Sequence, residues 1–465
     1  MMEEYSCNEK LSYKKLSYEK LSFEKNVVRI ALPVTLQSLL QSSFSVIDQV
    51  MIGQLGSSSI AGIGLGGKFA SLYAVVLAAI ASAAGIMISQ YMGRKDEASA
   101  AKSFYVNLGF AVVLAAGFMA LCVLFPQRIM AVYTQDEMTK ALAVRYIRIL
   151  AVSFLPMAVS SIVTTMLRCM EKAALPLYAS MFALLLNTGL NYLLIFGKWN
   201  FPQMGVEGAA LASTAAQTIS CVVIVLFFIA VRKKTRVLPS VAEHRTEDQK
   251  QYQKQYFTIL CPLLVCEFLW SLGENVYTAI YGNIGTDACA AMTMTIPVQT
   301  IVIGALGGLA QASGILIGKS LGAKKEAQAY TEAKKLMWYG LAASVLLSVC
   351  LVAASPFYVK IYKVGPEVQQ LTRSLLVAIA VIAPVKVLNM ILGGGIIRSG
   401  GKTKYIMWID AVGTWGFGVP LGLLAAFVWK LPIAYVYFIL SLEECVRLGI
   451  SLVIFRQKKW MGSLR

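Results

Sequence analysis

Histidine occurs once in this chain, at position 244, and charged residues make up only 14% of it. The first scarcity excludes a His-rich metal centre and leaves no Ser–His or Cys–His arrangement for nucleophilic catalysis. The second is too low for an ordinary soluble domain, in which about a quarter of residues are charged. The nine cysteines are scattered without a Cys-x-x-Cys pair and read as small apolar fillers. A Gly-rich nucleotide loop is also missing. No enzyme is expected from this inventory, and no metal beyond a possible Na⁺. A cleavable leader is not expected either: the charged N-terminal repeat (Lys10-Leu-Ser-Tyr-Lys and its two echoes) leads into an apolar segment without a small-residue cleavage site.

What fills the chain is hydrocarbon. Hydrophobic residues reach 57% and the mean hydropathy is +0.66. Apolar runs near the ~20 residues needed to cross a bilayer follow one another almost without pause. They predict an all-α integral membrane protein with twelve transmembrane helices, at 27–52, 62–92, 104–125, 141–165, 176–196 and 206–231 in the first half. The second half repeats the pattern at 257–281, 291–321, 330–354, 371–397, 405–428 and 432–455. The net charge of +18 would suggest nucleic acid in a soluble protein, but its distribution argues for topology. Lysines and arginines crowd the tails and one set of loops, against Arg128, Lys140, Lys198, Lys360, Lys363 and Lys430 on the other set. By the positive-inside rule both termini are cytoplasmic, in a plasma or inner membrane. The lipid bilayer is the expected partner, nucleic acid is not, and the expected state is a monomer. Trp199, Trp429 and Trp460 fall at predicted interfaces and read as headgroup anchors.

The chain also repeats itself. Ala83-Ala84-Gly85-Ile86 to Gly93-Arg94-Lys95 returns as Ala312-Ser313-Gly314-Ile315 to Gly322-Ala323-Lys324, an offset of 229. Pro33 maps onto Pro262 and Gly53 onto Gly282, and Arg168 and Lys172 onto Arg398 and Lys402 with the offset grown to 230. A period this long is a duplicated half-protein rather than a solenoid. Six helices per half place both halves in the same orientation, as two six-helix lobes related by a pseudo-two-fold axis along the membrane normal. The expected division is a cytoplasmic tail at 1–26, an N-lobe at 27–231, a cytoplasmic connector at 232–256, a C-lobe at 257–456 and a cytoplasmic tail at 457–465. Gly93 and Gly322, each closing a long helix, read as helix C-caps.

Several motifs resemble those of the multidrug and toxic compound extrusion (MATE) transporters. Leu32-Pro33, then Asp48-Gln49-Val50-Met51-Ile52-Gly53-Gln54-Leu55-Gly56, is similar to the family's opening helix. Gln90-Tyr91-Met92-Gly93-Arg94-Lys95-Asp96 resembles its Gln-x-x-Gly-x-x-Asp loop, and Arg398-Ser399-Gly400-Gly401-Lys402-Thr403 its Arg-x-x-Gly-Asp-Thr turn, with Lys402 in place of the acid. The resemblance runs from about 27 to 456. It implies a transporter of the wider superfamily that also holds lipid-linked precursor flippases.

An ionisable group inside a membrane helix is costly and marks function by default. On the first helix Gln37, Gln41, Phe44, Asp48 and Met51 share one stripe. At 1.5 Å per residue, Asp48 lies ~6 Å from the far end of its helix, Asn191 ~8 Å, Ser213 ~11 Å and Asn187 ~14 Å. One carboxylate, two amides and a hydroxyl at like depth suit a hard cation or a proton, and the MATE resemblance implies an N-lobe coupling site built from these elements. Under the repeat Asp48 maps to Tyr277, Asn187 to Phe417 and Asn191 to Leu421, so the first lobe alone is expected to keep ion-binding groups.

In the second half Glu267 and Glu274 share a face of the seventh helix beside Trp270 and Tyr277. The acids of the C-lobe cation site found in some MATE members would fall on Trp270 and Val387, so that site is not carried over. Lys386 is expected to need an acid partner, which Asp410, Glu267 or Glu274 could supply, with internal ion pairing and substrate recognition both open. Glu443 and Glu444 with Arg447 are expected as a local ion pair. Carboxylates with Phe44, Met51, Trp270 and Tyr277 suit flat cationic amphiphiles, with Gln37 and Gln41 as polar contacts. The expected function is multidrug efflux by antiport with Na⁺ or H⁺ and no other cofactor. A lipid-linked precursor flippase ranks below it.

Overall fold

The computed structural model describes residues 2–235, 249–361 and 364–464. His244, the middle of the connector and Lys363 lie outside the described residues. Among those described, all regular structure is helical. The N-lobe comprises α1 (Met2–Gly53), α2 (Ser57–Gly93), α3 (Glu97–Leu124), α4 (Glu137–Cys169), α5 (Ala174–Phe196) and α6 (Gly205–Thr235). The C-lobe comprises α7 (Gln249–Gly282), α8 (Thr286–Gly322), α9 (Glu326–Tyr358), α10 (Pro366–Ile397) and α11 (Lys404–Val428). The last span divides at Leu442 into α12 (Ile433–Ser441) and α13 (Glu443–Arg456), so among the described residues eleven helices are each long and apolar enough to cross a bilayer alone, and α12 with α13 makes up the twelfth span. The backbone of α1 starts well before the apolar run at 27.

Side-chain caps start two of these helices. Asp96 accepts from the Ser99 amide at 2.9 Å ahead of α3, and Asp136 from the Thr139 amide at 2.9 Å ahead of α4. Hydrogen bonding to Thr139, by its side chain first and its backbone amide second, holds the Asp136 carboxyl below its usual range. Outward-facing apolar side chains such as Val113, Leu346 and Phe357, 71%, 66% and 74% exposed, cover the bundle as a lipid-facing surface requires.

The repeat is visible in the packing. α1 lies on α8, and α7, the repeat of α1, lies on α2, while α2 and α8 cross each other. One apolar cluster containing Tyr73, Ile86, Leu306, Ile315 and Phe455 spans both lobes at the end that bears Gly93 and Gly322. Toward Gly53 and Gly282 it gives way to two separate clusters. One lies in the N-lobe around Ile63, Tyr146 and Val206, the other in the C-lobe around Ile280, Leu376 and Val436. The lobes share a core at one end and part at the other.

The closed end corrects two expectations. Gly93 and Gly322 are not left-handed caps: the positive φ angles fall on Lys95 (62°) and Lys324 (58°). A Cβ on Gly93 would meet the carbonyl of Lys319, and one on Gly322 the carbonyl of Gln90. Lys319 is the repeat mate of Gln90, so the two glycines let α2 and α8 touch backbone to backbone across the pseudo-two-fold. Trp460 is not a headgroup anchor either. It is fully buried and stacked on Phe455, while Trp199 and Trp429 are exposed. The segment after α13 docks on the N-lobe: the Leu464 amide donates to Gln90 at 2.8 Å, and Gln90 donates to the carbonyl of Gly462 at 3.2 Å.

Candidate functional site

Four residues from three helices meet near the parted end of the N-lobe. Asn191 of α5 donates to the Asp48 carboxylate of α1 at 2.9 Å, and to Asn187 one turn earlier at 3.3 Å. Asn187 donates to Ser213 of α6 at 3.4 Å. Rotating the Asn187 amide aims its nitrogen at both carboxylate oxygens of Asp48, at 3.2 and 3.0 Å. That orientation satisfies the amide and the carboxylate together, so the Asn187 nitrogen is assigned to Asp48. Asn187 and Asn191 are buried, and Asp48 is half-buried. The depths expected from helix arithmetic do bring these side chains together.

Two chambers lie deeper, one on the N-lobe side and walled across the lobe boundary by residues such as Gln311 and Arg398, the other within the C-lobe. The N-lobe chamber, of about 580 Å³, is lined by Gln37, Gln41, Ser161, Thr165, Ser180, Gln217 and Arg168 among others, and no carboxylate lines it. The C-lobe chamber, of about 590 Å³, is lined by Trp270, Glu274, Lys386, Asp410, Glu444 and Arg447 among others. Their walls correspond under the repeat. Gln41 answers to Trp270, Ser180 to Asp410 and Arg168 to Arg398, while Gln217 and Ser220 answer to Glu444 and Arg447 with the offset reduced to 227. One architecture therefore encloses two different spaces, the first polar and lined by Arg168 and Arg398 without a carboxylate, the second lined by charges of both signs.

Between the chambers, two arginines reach across the lobe boundary. Arg168 donates to Gln311 of the C-lobe and, at 2.9 Å, to Gln37 of its own. Arg398 donates to Ser82 of the N-lobe at 3.2 Å and pairs with Glu267 at 3.4 Å. Ser82 and Gln311 are themselves repeat mates. The sequence marked both arginines as repeated residues and assigned neither a role; the matching offset of their partners was the signal available.

Other expected sites fall elsewhere. Asp410 pairs with Arg447 at 3.0 Å, not with Lys386, because α13 brings a guanidinium against α11. Arg447 also reaches Glu444 at 3.8 Å, as expected, but Glu443 turns away. Tyr277 is buried outside both chambers and donates to Glu443 at 2.5 Å. The C-lobe thus does retain a carboxylate beside the position that Asp48 holds in the repeat, supplied by α13. Phe44 and Met51 line neither chamber, and Met51 packs against the N-lobe cluster around Ile63 and Tyr146. Glu267 is taken up by Arg398. Of the expected substrate contacts, Gln37 and Gln41 line the N-lobe chamber, and Trp270 and Glu274 the C-lobe chamber.

The MatE family model matches residues 33–193 and 262–424, one segment in each lobe. An uncharacterised transporter of Bacillus subtilis, YisQ, is 22% identical over 92% of this chain and 93% of its own length. A probable multidrug resistance protein NorM of Thermotoga maritima is 20% identical over 94% and 93%. A crystal structure of a Vibrio cholerae MATE transporter, VcmN, superposes with a TM-score of 0.85 at 17% identity, covering 94% of this chain and 97% of that one. That last likeness is one of fold.

Proposed function

The chain belongs to the MATE family of membrane transporters, and from that premise we propose that it exports cationic or amphipathic organic compounds in exchange for Na⁺ or H⁺. The observation that carries this reading is the Asp48–Asn187–Asn191–Ser213 cluster. A carboxylate in a membrane helix is retained only where it is paired, hydrated or used, and this one meets only neutral partners whose oxygens suit a small cation. With Asp48 charged and empty, the Asn187 amide turns its nitrogen to the carboxylate. With Na⁺ or a proton there, the amide turns its oxygen. The probable multidrug names of the NorM relatives favour this cargo over a lipid-linked precursor.

In the cycle we propose, the termini and the Gly93 end are cytoplasmic, so the parted lobes face outward. The ion enters from outside, neutralises Asp48 and weakens the hold on cargo, which leaves. The lobes then rock about the α2–α8 crossing and release the ion inside. An ion drives such a cycle only by binding the two states unequally. The test is whole-cell efflux of a cationic dye with and without an ion gradient. Asp48→Asn protein should reach the membrane in normal amount and lose gradient-driven efflux. Undiminished efflux by that variant would sink the assignment.

A further inference from the structure

The C-lobe chamber contains three acids, Glu274, Asp410 and Glu444, and three bases, Lys386, Arg398 and Arg447. Four of these charges are satisfied by protein. Arg447 holds Asp410 and Glu444, and Arg398 holds Glu267 at the chamber's edge. The remaining ammonium, Lys386, and carboxylate, Glu274, have no such direct contact, and Lys386 feels Glu444, Glu274 and Glu443 only at longer range. Among the described residues neither Lys386 nor Glu274 forms a salt bridge, so their charged atoms stand more than 4.0 Å from each other. Trp270, Tyr281, Met292 and Met390 line the same space and give it an aromatic, adaptable wall.

We propose that this chamber recognises amphipathic zwitterions, with Lys386 taking the anionic group and Glu274 the cationic one. Lys386 is half-buried, and a charge drawn partly out of water gains from a direct partner, while Glu274 is exposed and open to a ligand's cationic group. A simple cation would satisfy Glu274 and add to the charge near Lys386, and a simple anion would do the reverse. A molecule carrying both groups on a flat apolar body answers both and fills the wall between chemistry and size that a cavity of about 590 Å³ sets. The N-lobe chamber, which no carboxylate lines, cannot make this discrimination. Only the claim that the bound molecule is cargo rests on the exporter reading; the binding does not.

The test uses the purified full chain and a matched pair of dyes, rhodamine 110, which bears a free carboxylic acid, and its methyl ester, rhodamine 123. Binding is read by fluorescence polarisation, so it needs no transport. Lys386→Gln should weaken binding of the acid roughly ten-fold, the worth of one charge-assisted contact, and affect the ester far less. Lys386→Arg should restore the preference, and Glu274→Gln should weaken both dyes. If wild-type protein does not bind the acid, or Lys386→Gln and Glu274→Gln leave its affinity unchanged, the proposal is wrong. Failure of the exporter reading would show instead as absent efflux with this binding pattern intact.

Discussion

Asp48 and Arg447 pose the same physical problem in opposite ways. Arg447 is buried with two carboxylates and a hydrogen bond to Thr414 at 2.9 Å, so its charge is answered by the fold. Asp48 has only neutral hydrogen-bond partners, and in the proposed cycle its charge is answered by an ion that comes and goes. The two should respond differently to mutation. Arg447→Met strands Asp410 and Glu444 without their cation and should cost about 3–5 kcal/mol of stability, seen as a lower unfolding temperature in detergent. Asn187→Leu removes one amide from Asp48 and leaves the fold standing. It should raise the ion concentration needed for half-maximal efflux roughly ten-fold, the worth of one hydrogen bond to a charged group.

At the scale of elements, the contact between α2 and α8 is the feature that most constrains movement. Gly93 faces the Lys319 carbonyl and Gly322 the Gln90 carbonyl, both backbone atoms that cannot rotate aside. Gly93→Ala or Gly322→Ala should therefore push the crossing apart, at a cost of roughly 1–3 kcal/mol, enough to shift a two-state population by about five-fold or more. The expected outcome is lower yield of a disulfide engineered across this seam in a cysteine-free background, to a similar degree for either glycine. Equal yield in wild type and both variants would remove the seam from the account.

The spans, the repeat and the Asp48 cluster were legible in sequence because each depends on distance along a helix, which the chain records directly. Asp48, Asn187 and Asn191 could be placed at like depth by counting residues. What could not be read was which helix lies beside which. Lys386 and Asp410 sit on consecutive helices and invited pairing, but Arg447, from α13, takes the place beside Asp410. Gly93 and Gly322 ended long helices, and nothing local distinguished a cap from a close approach between lobes. The docking of 457–464 on Gln90 and Arg94 joins residues more than three hundred positions apart, beyond any periodicity.

For the molecule as a whole, the structure is a pair of lobes closed at one end by matched contacts. Arg168 with Gln311, Arg398 with Ser82, and the two glycines all occur in repeat-related pairs, so the closure is built on the pseudo-two-fold. Opening this end must break each pair together, which favours a concerted rocking over local gating. Energy for that step is assigned to the one place in the N-lobe where the repeat is broken by a carboxylate among neutral oxygens. The direct measurement is dye transport by the purified chain in proteoliposomes under separately imposed Na⁺ and pH gradients, for wild type and Asp48→Asn. Wild type should concentrate the dye under one of the two gradients, and Asp48→Asn under neither. Transport that ignores both gradients, or survives loss of the Asp48 charge, would contradict the account.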